Sequence, residues 1–124
     1  MLVQKKILVV DDEPDICNSL RKYFRDKGYV VFTCCEAGAA LDLLNKEKPD
    51  VLILDIFMPG LNGIEVLRIA KEINKDVKVI MLTAIKDEFI VKEALNLGAS
   101  FYMTKPFNLD ALEKVVSGGK GSVE

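Results

Sequence analysis

Short apolar runs recur along the chain, and each ends at a polar residue that a buried strand would not keep. Lys6-Ile7-Leu8-Val9-Val10 stops at Asp11-Asp12, Val51-Leu52-Ile53-Leu54 at Asp55, and Val77 to Leu82 at Thr83-Ala84. Ala99 to Met103 runs into Thr104-Lys105-Pro106, and Tyr29 to Thr33 is a further run of the same kind. Runs this short, rich in Val, Ile and Leu, predict strands covered on both faces. Between them the apolar spacing becomes helical. Glu13-Pro14-Asp15 opens a first helix carrying Ile16, Leu20, Tyr23 and Phe24 and stopped by Gly28. Ala37 to Lys48 gives a second, ended by Pro49. The turn formers Met58-Pro59-Gly60-Leu61-Asn62-Gly63 precede a third, with Ile64, Leu67, Ala70 and Ile73 on one stripe. Asp87 to Leu97, stopped by Gly98, is the fourth, and Asn108 caps a last helix through Val116.

This is a strand and a helix in alternation, five times over. The pattern predicts an α/β fold, a (βα)5 doubly wound five-stranded parallel sheet with right-handed crossovers and helices on both faces. Five units are too few for an eight-stranded barrel. Ser117-Gly118-Gly119-Lys120-Gly121-Ser122 is composed like a flexible linker. The expected division is therefore one domain over 1–117 and a Gly/Ser-rich tail or linker remnant over 118–124.

Composition narrows the chemistry. The chain has 124 residues, half of them hydrophobic, enough to bury roughly two-thirds of the unfolded surface without disulfides or metal staples. Seventeen basic against nineteen acidic residues leave a net charge of −2, so direct nucleic-acid binding is not expected. No apolar run approaches the ~20 residues of a membrane helix, and the N-terminus lacks a secretory pattern, so a cytoplasmic location is the expectation. There is no histidine, which removes imidazole acid/base chemistry and His-ligated zinc. Cys17, Cys34 and Cys35 lack metal-ligand spacing and read as small buried hydrophobes or idle thiols.

In an open α/β sheet the ligand site lies outside the carboxyl ends of the strands. Those ends carry Asp11, Asp12, Asp55, Thr83 and Lys105. Carboxylates converging there repel by about 4 kcal/mol per pair at 4 Å and an effective dielectric near 20. Three acids against one lysine leave two negative charges, which matches a divalent cation; an all-oxygen set suits Mg²⁺ or Mn²⁺. An ionised carboxylate held there can attack phosphorus, and Asp55, alone on the central strand, is the best nucleophile. Each residue also has a plain structural reading: the acids as helix caps, Thr83 as a turn hydroxyl, Lys105 as a solvated cation, Tyr102 as a core or edge aromatic. Glu13 and Asp15 are assigned to the dipole of the first helix rather than to chemistry.

With Ile7-Leu8-Val9-Val10-Asp11-Asp12-Glu13, Leu52-Ile53-Leu54-Asp55-Ile56-Phe57-Met58-Pro59-Gly60, Leu82-Thr83-Ala84 and Lys105-Pro106-Phe107 in this order, the sequence resembles a bacterial response-regulator receiver domain over residues 5 to 117. The resemblance implies a flavodoxin-like strand order 2-1-3-4-5 and a phosphoryl group passed to Asp55 from a phosphohistidine on a sensor histidine kinase or histidine phosphotransfer protein. It implies Mg²⁺, with Mn²⁺ also fitting, ligated by Asp12, Asp55 and the backbone carbonyl of Phe57, with Asp11 acting mainly through bound water. Lys105, the Thr83 hydroxyl and the Ala84 N–H would hold the phosphoryl oxygens, and a cis Lys105-Pro106 bond would aim the lysine. Thr83 and Tyr102 would then switch the surface of the fourth helix, fifth strand and fifth helix toward a downstream effector or a fused output domain, homodimerisation being one outcome. Bulky Phe57 and Ile85 flank the path of an attacking water, so a long-lived aspartyl phosphate is expected. Three rivals stand beside this reading: a small Mg²⁺ hydrolase, a flavodoxin-like cofactor binder, and a binding module independent of phosphorylation. The Gly-rich end fits a domain excised from a longer regulator, with a stand-alone regulator as the alternative.

Overall fold

In the computed structural model, which describes residues 5–58 and 60–118, five main strands and five helices follow one another in the expected alternation, with two further short strands between the third main strand and the third helix. They are β1 (Lys6–Val10), α1 (Pro14–Asp26), β2 (Val30–Cys34), α2 (Ala37–Glu47), β3 (Val51–Leu54), β4 (Phe57–Met58), β5 (Leu61–Asn62), α3 (Gly63–Ile73), β6 (Lys78–Thr83), α4 (Glu88–Asn96), β7 (Phe101–Thr104) and α5 (Leu109–Ser117). The main sheet is parallel throughout, in the order β2-β1-β3-β6-β7. Setting aside the small β4–β5 pair, that is the 2-1-3-4-5 order the resemblance implied. Pro59 and most of the expected Gly/Ser-rich tail (119–124) lie outside the described residues.

The two-residue period of the strands sorts the core into two layers. Leu8, Val10, Leu52, Leu54, Val79 and Met81 face α2, α3 and α4, whereas Ile7, Val9, Val51, Ile53, Ile80 and Leu82 face α1 and α5. Every residue of β3 is buried, as the unbroken apolar run required. Edge strand β7 is only half-buried along its length.

Helix ends follow the local chemistry. Asn62, Asp87 and Asn108 each accept from backbone N–H groups one turn in, the expected cap at Asn108 among them. Gly28 and Gly98 take positive φ just beyond α1 and α4.

Four sequence expectations need correcting. The strand expected over Val77 to Leu82 runs Lys78–Thr83, because Val77 N–H donates to the Asn74 carbonyl at the end of α3 and Lys78 is the first residue to join the ladder, donating to Asp50. The second strand runs Val30–Cys34, not Tyr29–Thr33, because Tyr29 N–H closes the end of α1 on the Phe24 carbonyl and Val30 is the first residue to join the ladder, donating to Lys5. The last strand is Phe101–Thr104, since Ala99 N–H closes the end of α4 on the Ala94 carbonyl. The Met58–Gly63 stretch is not only a turn: Phe57 pairs with Asn62 and Met58 with Leu61 in a two-stranded antiparallel ribbon. Among the described residues, no helix is long and apolar enough to cross a membrane.

Candidate phosphoacceptor and metal site

The strand ladders place the site. Asp11 follows the last residue of β1 and is pinned there by its own N–H, which donates to the Cys34 carbonyl at 3.1 Å. Asp55 follows β3, and its N–H donates to Val10 at 3.0 Å. Lys105 follows β7 and donates its backbone N–H to Thr83 at 2.9 Å. Each ladder is thus carried one residue past the regular strand, so three chain segments enter the rim at a common level. The Lys105-Pro106 bond is cis, as expected.

Asp11, Asp55 and Thr83 are the buried polar side chains among the described residues, 2%, 6% and 1% exposed. Buried carboxylates require partners. Lys105 is that partner, with its Nζ 2.9 Å from Asp11 Oδ2 and 3.1 Å from Asp55 Oδ2. Asp11 also accepts from the Glu13 N–H at 2.9 Å. Burial pushes the Asp11 carboxyl above its ordinary value in spite of these bonds. Burial would lower the Lys105 ammonium, but the hydrogen bonds to Glu13, Asp11 and Asp55 outweigh it and hold the group above the usual lysine range.

Ligand oxygens of Asp11, Asp12, Glu13 and Asp55 all lie within 4.8 Å of one another. An acidic cluster alone proves little, but here one ammonium is set against four carboxylates. The donor set is all oxygen and the charge is unbalanced, so the residues present fit a small, hard divalent cation.

The predicted site residues assemble unevenly. Asp11, Asp12, Asp55 and Lys105 come together. Thr83 ends β6 beside them, its hydroxyl oxygen accepting from Ile85 N–H at 3.4 Å, and Ala84 follows it at the surface. Phe57 lies two residues beyond Asp55 in the ribbon and is 56% exposed. Tyr102 is no free edge aromatic: its hydroxyl donates to the Ile85 carbonyl at 2.7 Å, tying β7 to the loop after β6. Its burial, with the negative charges of Asp55 and Asp87, raises the phenol to about 12, so it remains a donor.

Glu13 is a correction. The sequence reading gave it to the helix dipole, yet its carboxylate lies 2.7 Å from Lys105 Nζ and caps no backbone group of α1. Asp15, by contrast, sits in the first turn of α1 as expected. The signal for Glu13 was the third consecutive acid of Asp11-Asp12-Glu13.

The chain matches the response regulator receiver domain family over residues 7–117. It is 36% identical over 115 residues to sporulation initiation phosphotransferase F of Bacillus subtilis strain 168, covering 93% of each chain. It is 42% identical over 106 residues to the alkaline phosphatase synthesis transcriptional regulatory protein PhoP of the same bacterium, covering 86% of this chain and 44% of that protein. Among solved structures, a CheY-like response regulator receiver domain protein from Methanospirillum hungatei JF-1 superposes with a TM-score of 0.87 at 33% identity, over 92% of both chains. The match spans every element from β1 to α5 and includes the acidic rim, so the chain belongs to the response regulator receiver domains, the signalling switches of two-component phosphorelay systems.

Proposed function

We propose that Asp55 is the phosphoacceptor of this receiver. The observation that carries the reading is the shared ammonium: Lys105 Nζ bridges Asp11 and Asp55 in a nearly buried pocket that has acid left over. An Asp55 carboxylate oxygen attacks the phosphorus of a phosphohistidine on a sensor histidine kinase or histidine phosphotransfer protein. A phosphorus–oxygen bond forms as the phosphorus–nitrogen bond breaks, and the electron pair leaves with the imidazole, which takes up a proton. Such a transfer needs positioning and positive charge more than covalent help. Lys105 meets the phosphoryl oxygens, and the Thr83 hydroxyl and Ala84 N–H donate to them.

Mg²⁺, or Mn²⁺ in its place, supplies a second positive charge that offsets the spread negative charge of the transferring group. Asp12, Asp55 and the Phe57 backbone carbonyl would hold it, with Asp11 acting through water. Once Asp55 carries the group, Thr83 is drawn toward it and Tyr102 responds, reshaping the surface of α4, β7 and α5. That surface passes the signal to a downstream effector or a fused output domain, or to a second copy of the chain. The protein acts as a switch that gains and loses its own phosphoryl group rather than as a turnover enzyme, and its proposed place is the cytoplasm.

The test uses phosphoramidate, the smallest donor with the phosphorus–nitrogen bond, in the presence of Mg²⁺, followed by borohydride reduction of any acyl phosphate and peptide mass mapping. Reduction confined to residue 55 is the expected result. Reduction at another acid, or at none, contradicts the assignment.

A further inference from the structure

An ammonium carries three N–H donors, and in this structure that of Lys105 donates to Glu13 Oε1 at 2.7 Å and to Asp55 Oδ2 at 3.1 Å and forms an ion pair with Asp11 Oδ2 at 2.9 Å. Three carboxylates already surround the group, so an incoming phosphoryl oxygen competes with them for it.

The three partners differ in what release costs. The Asp11 and Asp55 side chains are 3% and 8% exposed, so either acid, once released, would keep its charge under cover without a counter-ion. The Glu13 side chain is 57% exposed, and water replaces the lost bond. Its main chain is fixed separately: the N–H donates to Asp11 Oδ1 at 2.9 Å, and the carbonyl accepts from Ile16 and Cys17 at 3.1 and 3.2 Å. The carboxylate can therefore swing away without costing α1 a hydrogen bond.

We infer that Glu13 is a positioning residue, a placeholder on the Lys105 ammonium that yields its place to an incoming phosphoryl oxygen. The inference rests on the phosphoacceptor reading of Asp55. It makes Glu13 a determinant of how much donor is needed, through displacement and like-charge repulsion, and not of the rate once donor is bound.

The experiment measures the initial rate of phosphorylation of the full chain against acetyl phosphate concentration, with Mg²⁺ saturating for each variant, in wild type, Glu13→Gln and Glu13→Ala. Both substitutions are expected to lower the half-saturating donor concentration about two- to fivefold, the scale of an exposed ion pair. The gap narrows as salt is added. A half-saturating concentration that stays put or rises overturns the inference, as does an effect confined to the plateau. If wild type is labelled at Asp55 and the variants behave like it, only this inference falls. If wild type takes no phosphoryl group, the phosphoacceptor reading falls with it.

Discussion

Lys105 is the residue on which the rim depends, because without its ammonium two buried carboxylates would face each other with no counter-charge. Its position one residue past β7 was legible from the strand pattern, and so were Asp11 and Asp55. Glu13 was misread because the Glu13-Pro14-Asp15 run is the ordinary opening of a helix, and nothing local says that a side chain there reaches a lysine 92 positions away. Of the cysteines, expected to be small buried hydrophobes or idle thiols, Cys17 is buried and Cys34 partly buried. Burial pushes the Cys17 and Cys34 thiols up to about 11, so near neutral pH scarcely any of either is thiolate, whereas Cys35 is exposed. Iodoacetamide at about pH 8 should therefore label the native chain at Cys35 and the urea-unfolded chain at all three positions. Peptide mapping that finds Cys17 labelled as fast as Cys35 would show α1 to be poorly packed. Phe57 is exposed and Ile85 half-buried. If they exclude the attacking water, Phe57→Asn/Ile85→Glu speeds loss of the phosphoryl label several-fold, and an equal or slower loss rules that role out.

At the scale of elements, the site depends on how closely α3 approaches the end of β3. Gly63 N–H donates to the Ile56 carbonyl at 2.6 Å, and a methyl group at residue 63 would overlap the Asp55 carbonyl oxygen and lie 2.7 Å from Ile56 Cα. Both neighbours are backbone atoms and cannot rotate aside. Gly63→Ala should accordingly cost about 1–3 kcal/mol in urea unfolding, the usual price of forced overpacking, and also slow phosphorylation by displacing Asp55. Unchanged stability would mean that α3 sits further out than the structure has it. Of the elements themselves, those with a long period were the most legible. The β4–β5 ribbon was not, because two-residue strands carry no alternation, and Asn62 with the intervening Gly60 reads equally well as a loop. Strand ends shifted by one or two residues where a backbone N–H went to a helix terminus instead of the ladder, as at Tyr29 and Ala99.

For the whole molecule, an acidic rim of this kind sets function against stability. Burial holds Asp11 above its ordinary value, so the fold carries a cost that is absent below the unfolded value of 3.8 and appears as pH rises through the higher folded one. Asp11→Asn, which removes the charge and keeps the shape, should raise the melting temperature of the metal-free protein by a few degrees at neutral pH, with less gain in acid. Mg²⁺ is expected to raise the melting temperature of wild type, since a cation bound only to the folded state stabilises it by mass action, and the same substitution should shrink that increase. A lower melting temperature at pH 7 would mean that the bond to Lys105 outweighs burial.

The most direct test of the central claim is intact mass after incubation with Mg²⁺ and acetyl phosphate, beside Asp55→Asn and a metal-free control. The account predicts one added phosphoryl group on wild type, none on Asp55→Asn and none without metal. An adduct that survives Asp55→Asn, or a folded wild-type protein that stays unmodified at every reaction time, would contradict it.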